Sequence, residues 1–157
     1  MKTIDNKLLQ ILLREAECDP RKRVNYNFHE FAEDTLQRML NVMEPGTYIQ
    51  PHKHQDPDKR EFFLILKGKL AVIEYTENGE ISDTRILSSD GENYGVEIAP
   101  RIYHSLVVLK KNTVIFECKD GPYNSQTDKK FAPWAPAEGD AEVNAYLKKL
   151  LKRLNLA

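Results

Sequence analysis

Cysteine is scarce in this chain of 157 residues, with two in all. Cys18 and Cys118 lie far apart with no CxxC pair, so neither a disulfide framework nor a thiolate zinc knuckle is encoded. Two reduced thiols fit a cytoplasmic protein. Charge of one sign is also missing, since 23 Lys and Arg stand against 24 Asp and Glu, and no basic stripe offers itself to nucleic acid. Long apolar runs are absent too. The opening "MKTIDNKLLQILLREAECDP" is too interrupted by charge for a signal peptide or membrane span, so no membrane partner is expected. There is no internal repeat, low-complexity tract or long linker, and the length suits one domain over residues 1–157.

Periodicity divides that domain into three blocks. Leu8, Ile11, Leu12 and Glu15 recur at helical spacing, with Thr3 or Asp5 able to cap the first turn and Pro20 to end it, which predicts a helix within residues 1–20. "GDAEVNAYLKKLLKRL" puts Val143, Tyr146, Leu147, Leu150, Leu151 and Leu154 on one stripe, predicting an amphipathic helix over 139–155 with Asp140 near its start. Between them, residues 36–120 read as about seven short strands separated by "EPG", "ENGE", "SSDGENYG" and "KKN". Asn78-Gly79 is the sharpest of these turns and fits a type I′ hairpin. Strands at this spacing predict an all-β sandwich or barrel core flanked by the two helices.

Four histidines are present, and two of them stand one residue apart in "YIQPHKH". In an extended segment His52 and His54 point to the same side while Lys53 points away. Glu61 opens "EFFLILKG" on the same face as Phe63 and Ile65, and His104 opens "YHSLVVL" on the face of Leu106 and Val108. Each is a polar group at the mouth of an apolar interior, and together they predict a metal site of three imidazoles and one carboxylate. Such a set leaves positions open on a divalent ion and suits Fe, Mn, Ni or Zn. Outside it, "RVNYNFH" concentrates Arg23, Asn25, Asn27 and His29, either an anion clamp for a small-molecule ligand or a polar loop pinning the first helix. "GPYNSQTDKKFAPWAP" offers Tyr123, Lys130 and Trp134 as a lid over the barrel mouth, or Trp134 as an anchor of the connector to the last helix. Arg23, Asn27, His29, Tyr123 and Lys130 are the candidate substrate-binding residues.

Gly46, His52, His54, Glu61 and Gly68, followed by Gly95, Pro100, His104 and Asn112, resemble the two motifs of the cupin superfamily. The resemblance implies a double-stranded β-helix, a jelly-roll barrel, with His52, His54, Glu61 and His104 on a divalent metal. Six residues, "QDPDKR", separate His54 from Glu61 where the motif has three or four, so Glu61 is the ligand expected to be displaced most easily. Over residues 20–137, "RKRVNYNFHE", "EPGTYIQPHKH", "GVEIAPRIYHS", "FECKDGPYN" and "DKKFAPWAP" are together similar to the WbuC family of small cupin-fold metalloproteins found with bacterial genes for O-antigen and other surface-polysaccharide synthesis. The resemblance brings a site and no particular reaction; the retained ligand set beside the candidate anion clamp leads to the expectation of a metal-dependent enzyme acting on a small polar molecule, a sugar or sugar-nucleotide intermediate, as isomerase, epimerase, lyase or dioxygenase. A non-catalytic metal-dependent binding module, or a metal-free cupin with His52 or His104 as general base, are the alternatives. A homodimer is expected, paired through a barrel edge or the terminal helices.

Overall fold

A computed structural model describes residues 1–156. The chain runs α1 (Asn6–Cys18), β1 (Arg23–Asn27), β2 (Leu36–Met43), β3 (His52–Lys53), β4 (Glu61–Lys67), β5 (Lys69–Tyr75), β6 (Ile81–Ser88), β7 (Gly95–Ile98), β8 (Tyr103–Val108), β9 (Thr113–Asp120), β10 (Lys130–Phe131) and α2 (Val143–Arg153). The strands form two five-stranded sheets in the orders β1-β2-β9-β4-β7 and β10-β3-β8-β5-β6, with every pairing antiparallel. This is the jelly roll of the cupin double-stranded β-helix.

Side-chain alternation places the core. Along β4, Glu61, Phe63 and Ile65 are buried while Phe62, Leu64 and Leu66 face out. Phe63 and Ile65 meet Leu70, Val72, Leu106, Val108 and Ile115 from the other strands to fill the barrel. β8 is buried along its whole length because both of its faces are covered. Leu106 and Val108 point into the barrel, and Tyr103 and Val107 pack under the connector and α2.

The helices seal the outer faces. α1 begins where Asp5 Oδ1 accepts a hydrogen bond from Leu8 N at 2.8 Å, and it buries Leu12 and Ala16 against Leu40, Val42 and Val114. α2 lays Leu150 against Ala71, Ile73 and Val107. Burying one such leucine contributes about 2 kcal/mol, so both helices are held by packing. Asp140 does not cap α2. Its Oδ2 accepts from Ala137 N at 2.8 Å instead, and the helix starts three residues later.

Two local expectations change. "RVNYN" is the edge strand β1, paired with β2 from Arg23↔Met43 to Asn27↔Met39. The Asn78-Gly79 turn is not type I′, since of the two only Gly79 has a positive φ, +83°. Gly79 N donates to Thr76 O at 3.0 Å and Thr76 N to Glu80 O at 2.9 Å, the pattern of a turn closed by a glycine bulge. Gly79 lies directly beneath the Trp134 ring, which leaves no room for a Cβ there. Among the described residues, no helix is long and apolar enough to cross a membrane.

Candidate metal centre

β3 lies extended beside β8, so that His52 is registered opposite His104 and His54 follows two residues on. Glu61 comes from the facing sheet, where it begins β4 between Ile98 of β7 and Lys119 of β9. The four side chains converge at one end of the barrel, each no more than 3% exposed, with one potential ligand atom apiece all within 4.8 Å of one another. His104 Nε2 lies 2.8 Å from Glu61 Oε2, and His54 Nε2 lies 3.3 Å from Oε1.

The far side of each ring explains its orientation. Nδ1 of His52 faces Gln50 O at 2.9 Å, Nδ1 of His104 faces Ile102 O at 3.0 Å, and Nδ1 of His54 faces the main-chain carbonyl of Asp128. A carbonyl only accepts, so each Nδ1 carries the proton and each Nε2 lone pair turns toward Glu61. Burial, together with the charge of Lys129, holds the His52 pKa well below its ordinary value and keeps that ring neutral. Burial would raise the pKa of Glu61. The facing His104 and His54 rings outweigh it, holding the carboxylate well below the usual range. His54 Nε2 is buried without a hydrogen-bond partner. A buried nitrogen without a partner, beside two further imidazole nitrogens and an ionised carboxylate, is the donor set that a divalent cation completes. The residues fit the metal.

The six-residue spacer does not pull Glu61 away. Arg101 clasps it from outside through Asp56 at 3.0 Å and Asp58 at 2.8 Å, while the two ladders to β7 and β9 hold Glu61 in register. Asp56, Pro57 and Asp58 bulge outward as a loop, while Lys59 turns inward.

A cavity of about 430 Å³ opens above the four ligands. Arg23, Asn27, His29 and Tyr123 all line it. Arg23 has little left to offer a ligand, because its guanidinium bonds Thr47 Oγ1 at 3.2 Å, Tyr48 O at 2.8 Å and both Glu138 oxygens at 2.6 and 2.7 Å. Lys130 is exposed on β10 opposite Lys53 and does not line the cavity, whereas its neighbour Lys129 does. Adjacent residues of an extended segment point to opposite sides, so only one of the two faces inward. Trp134 serves the connector: its ring packs 5.0 Å from Tyr75 and 5.9 Å from Tyr103, and Nε1 donates to Glu77 O at 3.2 Å.

Sequence reasoning passed over Glu117, Lys119 and Asp128. Asn41 Nδ2 donates to Glu117 Oε2 at 2.5 Å, and burial beside the Glu61 charge pushes the Glu117 pKa up to about 8. Lys119 Nζ lies 2.7 Å from Asp128 Oδ2 and 3.8 Å from Glu61 Oε1, and Lys59 Nζ lies 2.6 Å from Asp128 Oδ1. The signal was in "TVIFECK", where Glu117 and Lys119 share the inward parity of Ile115 on β9.

The family profile described as a domain of unknown function, DUF6016, matches residues 4–87, more than half of the chain. The chain belongs to the DUF6016 family. No curated protein matches it in sequence. Among solved structures, the DUF6016 chain is similar to the capsular polysaccharide assembling protein CapF from Staphylococcus aureus, with 25% identity and a TM-score of 0.60 over 72% of this chain and 30% of CapF. It thus spans less than a third of that protein. KdgF from Halomonas sp. is 14% identical with a TM-score of 0.52 over 69% of this chain and 86% of its own. An oxalate oxidase in complex with glycolate is 15% identical with a TM-score of 0.55 over 88% of this chain and 68% of its own. At those identities the last two share the fold with the DUF6016 chain.

Proposed function

We propose that this chain is a WbuC-like, metal-dependent enzyme acting on a small polar molecule, a sugar or sugar-nucleotide intermediate, in the synthesis of a bacterial surface polysaccharide. The observation that carries the proposal is the buried His52, His54, Glu61 and His104 group at the floor of a cavity large enough for a small ligand. The sequence similarity to CapF, whose name assigns it to capsule assembly, supports the polysaccharide context.

In this reading the three Nε2 atoms and the Glu61 carboxylate hold one Fe, Mn, Ni or Zn ion. When bound, the ion polarises a carbonyl or hydroxyl oxygen presented at its open positions. The protein's own residues do the rest. The barrel excludes water from below, the Asn25 and Asn41 amides line the cavity, and Glu117, protonated near neutral pH in the metal-free chain, places an acid group inside it. Arg23 joins the edge strand to the loop after β2 and to Glu138, and so stiffens the cavity wall. The proposed setting is the cytoplasm, where Cys18 and Cys118 stay reduced. The proposed assembly is a homodimer, for which the exposed Phe62, Leu64 and Leu66 of β4 supply apolar surface.

The test begins with untagged protein, in which elemental analysis is expected to find roughly one metal ion per chain and a His52→Ala, His104→Ala double variant to hold none. Metal-loaded protein is then incubated with nucleotide sugars and sugar acids, and the mixtures are followed by NMR. Conversion that the double variant lacks supports an enzyme. Tight binding without conversion assigns a binding module instead, and a metal-free parent after incubation with Fe(II), Mn(II) and Zn(II) ends the metal reading.

A further inference from the structure

The cations of the cavity wall are not equally engaged. Arg21 and Arg23 share Glu138 at 3.3 and 2.6 Å. Lys59 and Lys119 share the single carboxylate of Asp128 at 2.6 and 2.7 Å, and both lysine side chains are almost completely buried. Two ammonium groups on one carboxylate leave an uncompensated positive charge beside the metal centre, and the nearest further carboxylate, Glu61, is itself a metal ligand 3.8 Å from Lys119 Nζ. Lys129 has no ion-pair partner among the described residues, although it lines the same cavity. With the paired Lys59 and Glu138 included, and even with Glu117 taken as charged, five cationic side chains (Arg21, Arg23, Lys59, Lys119 and Lys129) stand against four carboxylates (Glu61, Glu117, Asp128 and Glu138) in and behind the cavity wall. A bound divalent ion adds to that excess.

We propose that Lys119 and Lys129 form an anion subsite beside the metal centre, so that the ligand of this cavity is a sugar-sized molecule bearing a carboxylate or phosphate group. The subsite rests on the metal-site reading for the ligand's second anchor but not for its own charge. Lys119 is fixed by the β9 ladder opposite Glu61 and by Asp128, so one of its positions is preorganised. Lys129 follows Asp128 directly and enters β10, which pairs with β3 beside His52, so it stands on the opposite wall. An anionic group between the two ammonium groups shares one cavity with His52, Glu61 and His104 and with the Asn25 and Asn41 amides. A neutral sugar would leave Lys129 without a counter-charge and Lys119 sharing Asp128 with Lys59.

The probes are glucose, glucuronate and glucose 6-phosphate, titrated by calorimetry into full-length protein with and without loaded Mn(II). Lys129→Gln is the main variant, because its exposed side chain supports no packing, and Lys129→Arg restores the charge. The expected result is that glucuronate or glucose 6-phosphate binds at least about tenfold more tightly than glucose, that Lys129→Gln removes about five- to tenfold of that preference without changing metal content, and that Lys129→Arg recovers it. Whichever anionic probe shows the preference identifies the acid group. Equal affinity for all three probes, no binding by any of them, or an unchanged preference in Lys129→Gln overturns the subsite. The two readings fail separately: anion preference in protein that binds no metal removes the metal site and keeps the subsite, and stoichiometric metal with no preference does the reverse.

Discussion

Glu61 Oε2 lies 2.8 Å from Nε2 of His104, whose other ring nitrogen faces the Ile102 carbonyl at 3.0 Å. Both ring nitrogens thus meet acceptors, an arrangement a neutral imidazole satisfies only if a cation takes the place of the second proton. Glu61 supplies the only negative charge among the four candidate ligands. Glu61→Gln keeps the shape and removes the charge, and it is expected to weaken metal binding by at least about 100-fold in chelator competition. Parent-like affinity would show that Glu61 is not a ligand, the outcome the long spacer foreshadowed.

Lys59 stands three-quarters of the way along that spacer and is as buried as the ligands themselves. It bonds Asp128 and the Pro122 carbonyl, and so ties the loop after β9 to the start of β4. The same Asp128 orients His54 through its main-chain carbonyl. Lys59→Met leaves Asp128 paired with Lys119 but removes two buried hydrogen bonds, one of them leaving the Pro122 carbonyl without its donor, and is expected to lower unfolding stability by about 2 kcal/mol. Metal affinity should fall by about tenfold as His54 loses its support. Urea denaturation and metal competition check the two effects, and a variant that loses stability but keeps full metal affinity would separate Asp128 from the orientation of His54.

The four candidate ligands could be seen in the sequence because strand alternation decides which side of a residue faces inward, and His52, His54, Glu61 and His104 each share parity with apolar neighbours. The cupin motifs carried the fold for the same reason, since their glycines and histidines mark corners and barrel-facing positions. What stayed hidden were charges on inward parity. Lys119 and Glu117 look like a solvated strand end unless Ile115 is taken as the reference, and Lys59 looks like loop until Asp128 is known to be its partner across 69 residues. Lys129 and Lys130 are indistinguishable without the register of β10. The edge strand "RVNYN" carries no strand signal in its sequence because its residues are polar, as suits an edge with one wet face. The bare outer face of β4 follows from α1 covering its sheet only as far as β1, β2 and β9.

Gly68 turns the chain from one sheet to the other between β4 and β5, with φ at +83°. A Cβ there would sit 2.4 Å from Thr113 Oγ1 and 2.7 Å from Thr113 Cα. Gly68→Ala is therefore expected to cost about 3 kcal/mol, from left-handed strain and overpacking together. Adding Thr113→Ala removes the hydroxyl but not the backbone atom, so the double variant should stay well below the parent in thermal denaturation. Full rescue would mean that the corner yields more readily than its geometry implies.

Glu117 gives the metal-free protein a defined pH response. Its folded pKa of about 8 lies above the ordinary 4.5, so the folded chain holds a proton that the unfolded chain has released, and stability falls as pH rises through that window. His52 works the other way. Its folded pKa lies well below 6.5, so stability rises with pH until the unfolded imidazole has lost its proton near 6.5 and is level beyond. Asp128, with its pKa held below 3.8, adds a loss only under acidic conditions. Between about pH 7 and pH 8 the Glu117 contribution stands alone among the three. The urea midpoint of the metal-free parent should fall across that interval, and Glu117→Gln should flatten the fall and be more stable than the parent at pH 8 by about 1–2 kcal/mol. A parent midpoint that stays constant across the interval would mean that Glu117 is already ionised in the folded protein, and that the proton assigned to the cavity is not there.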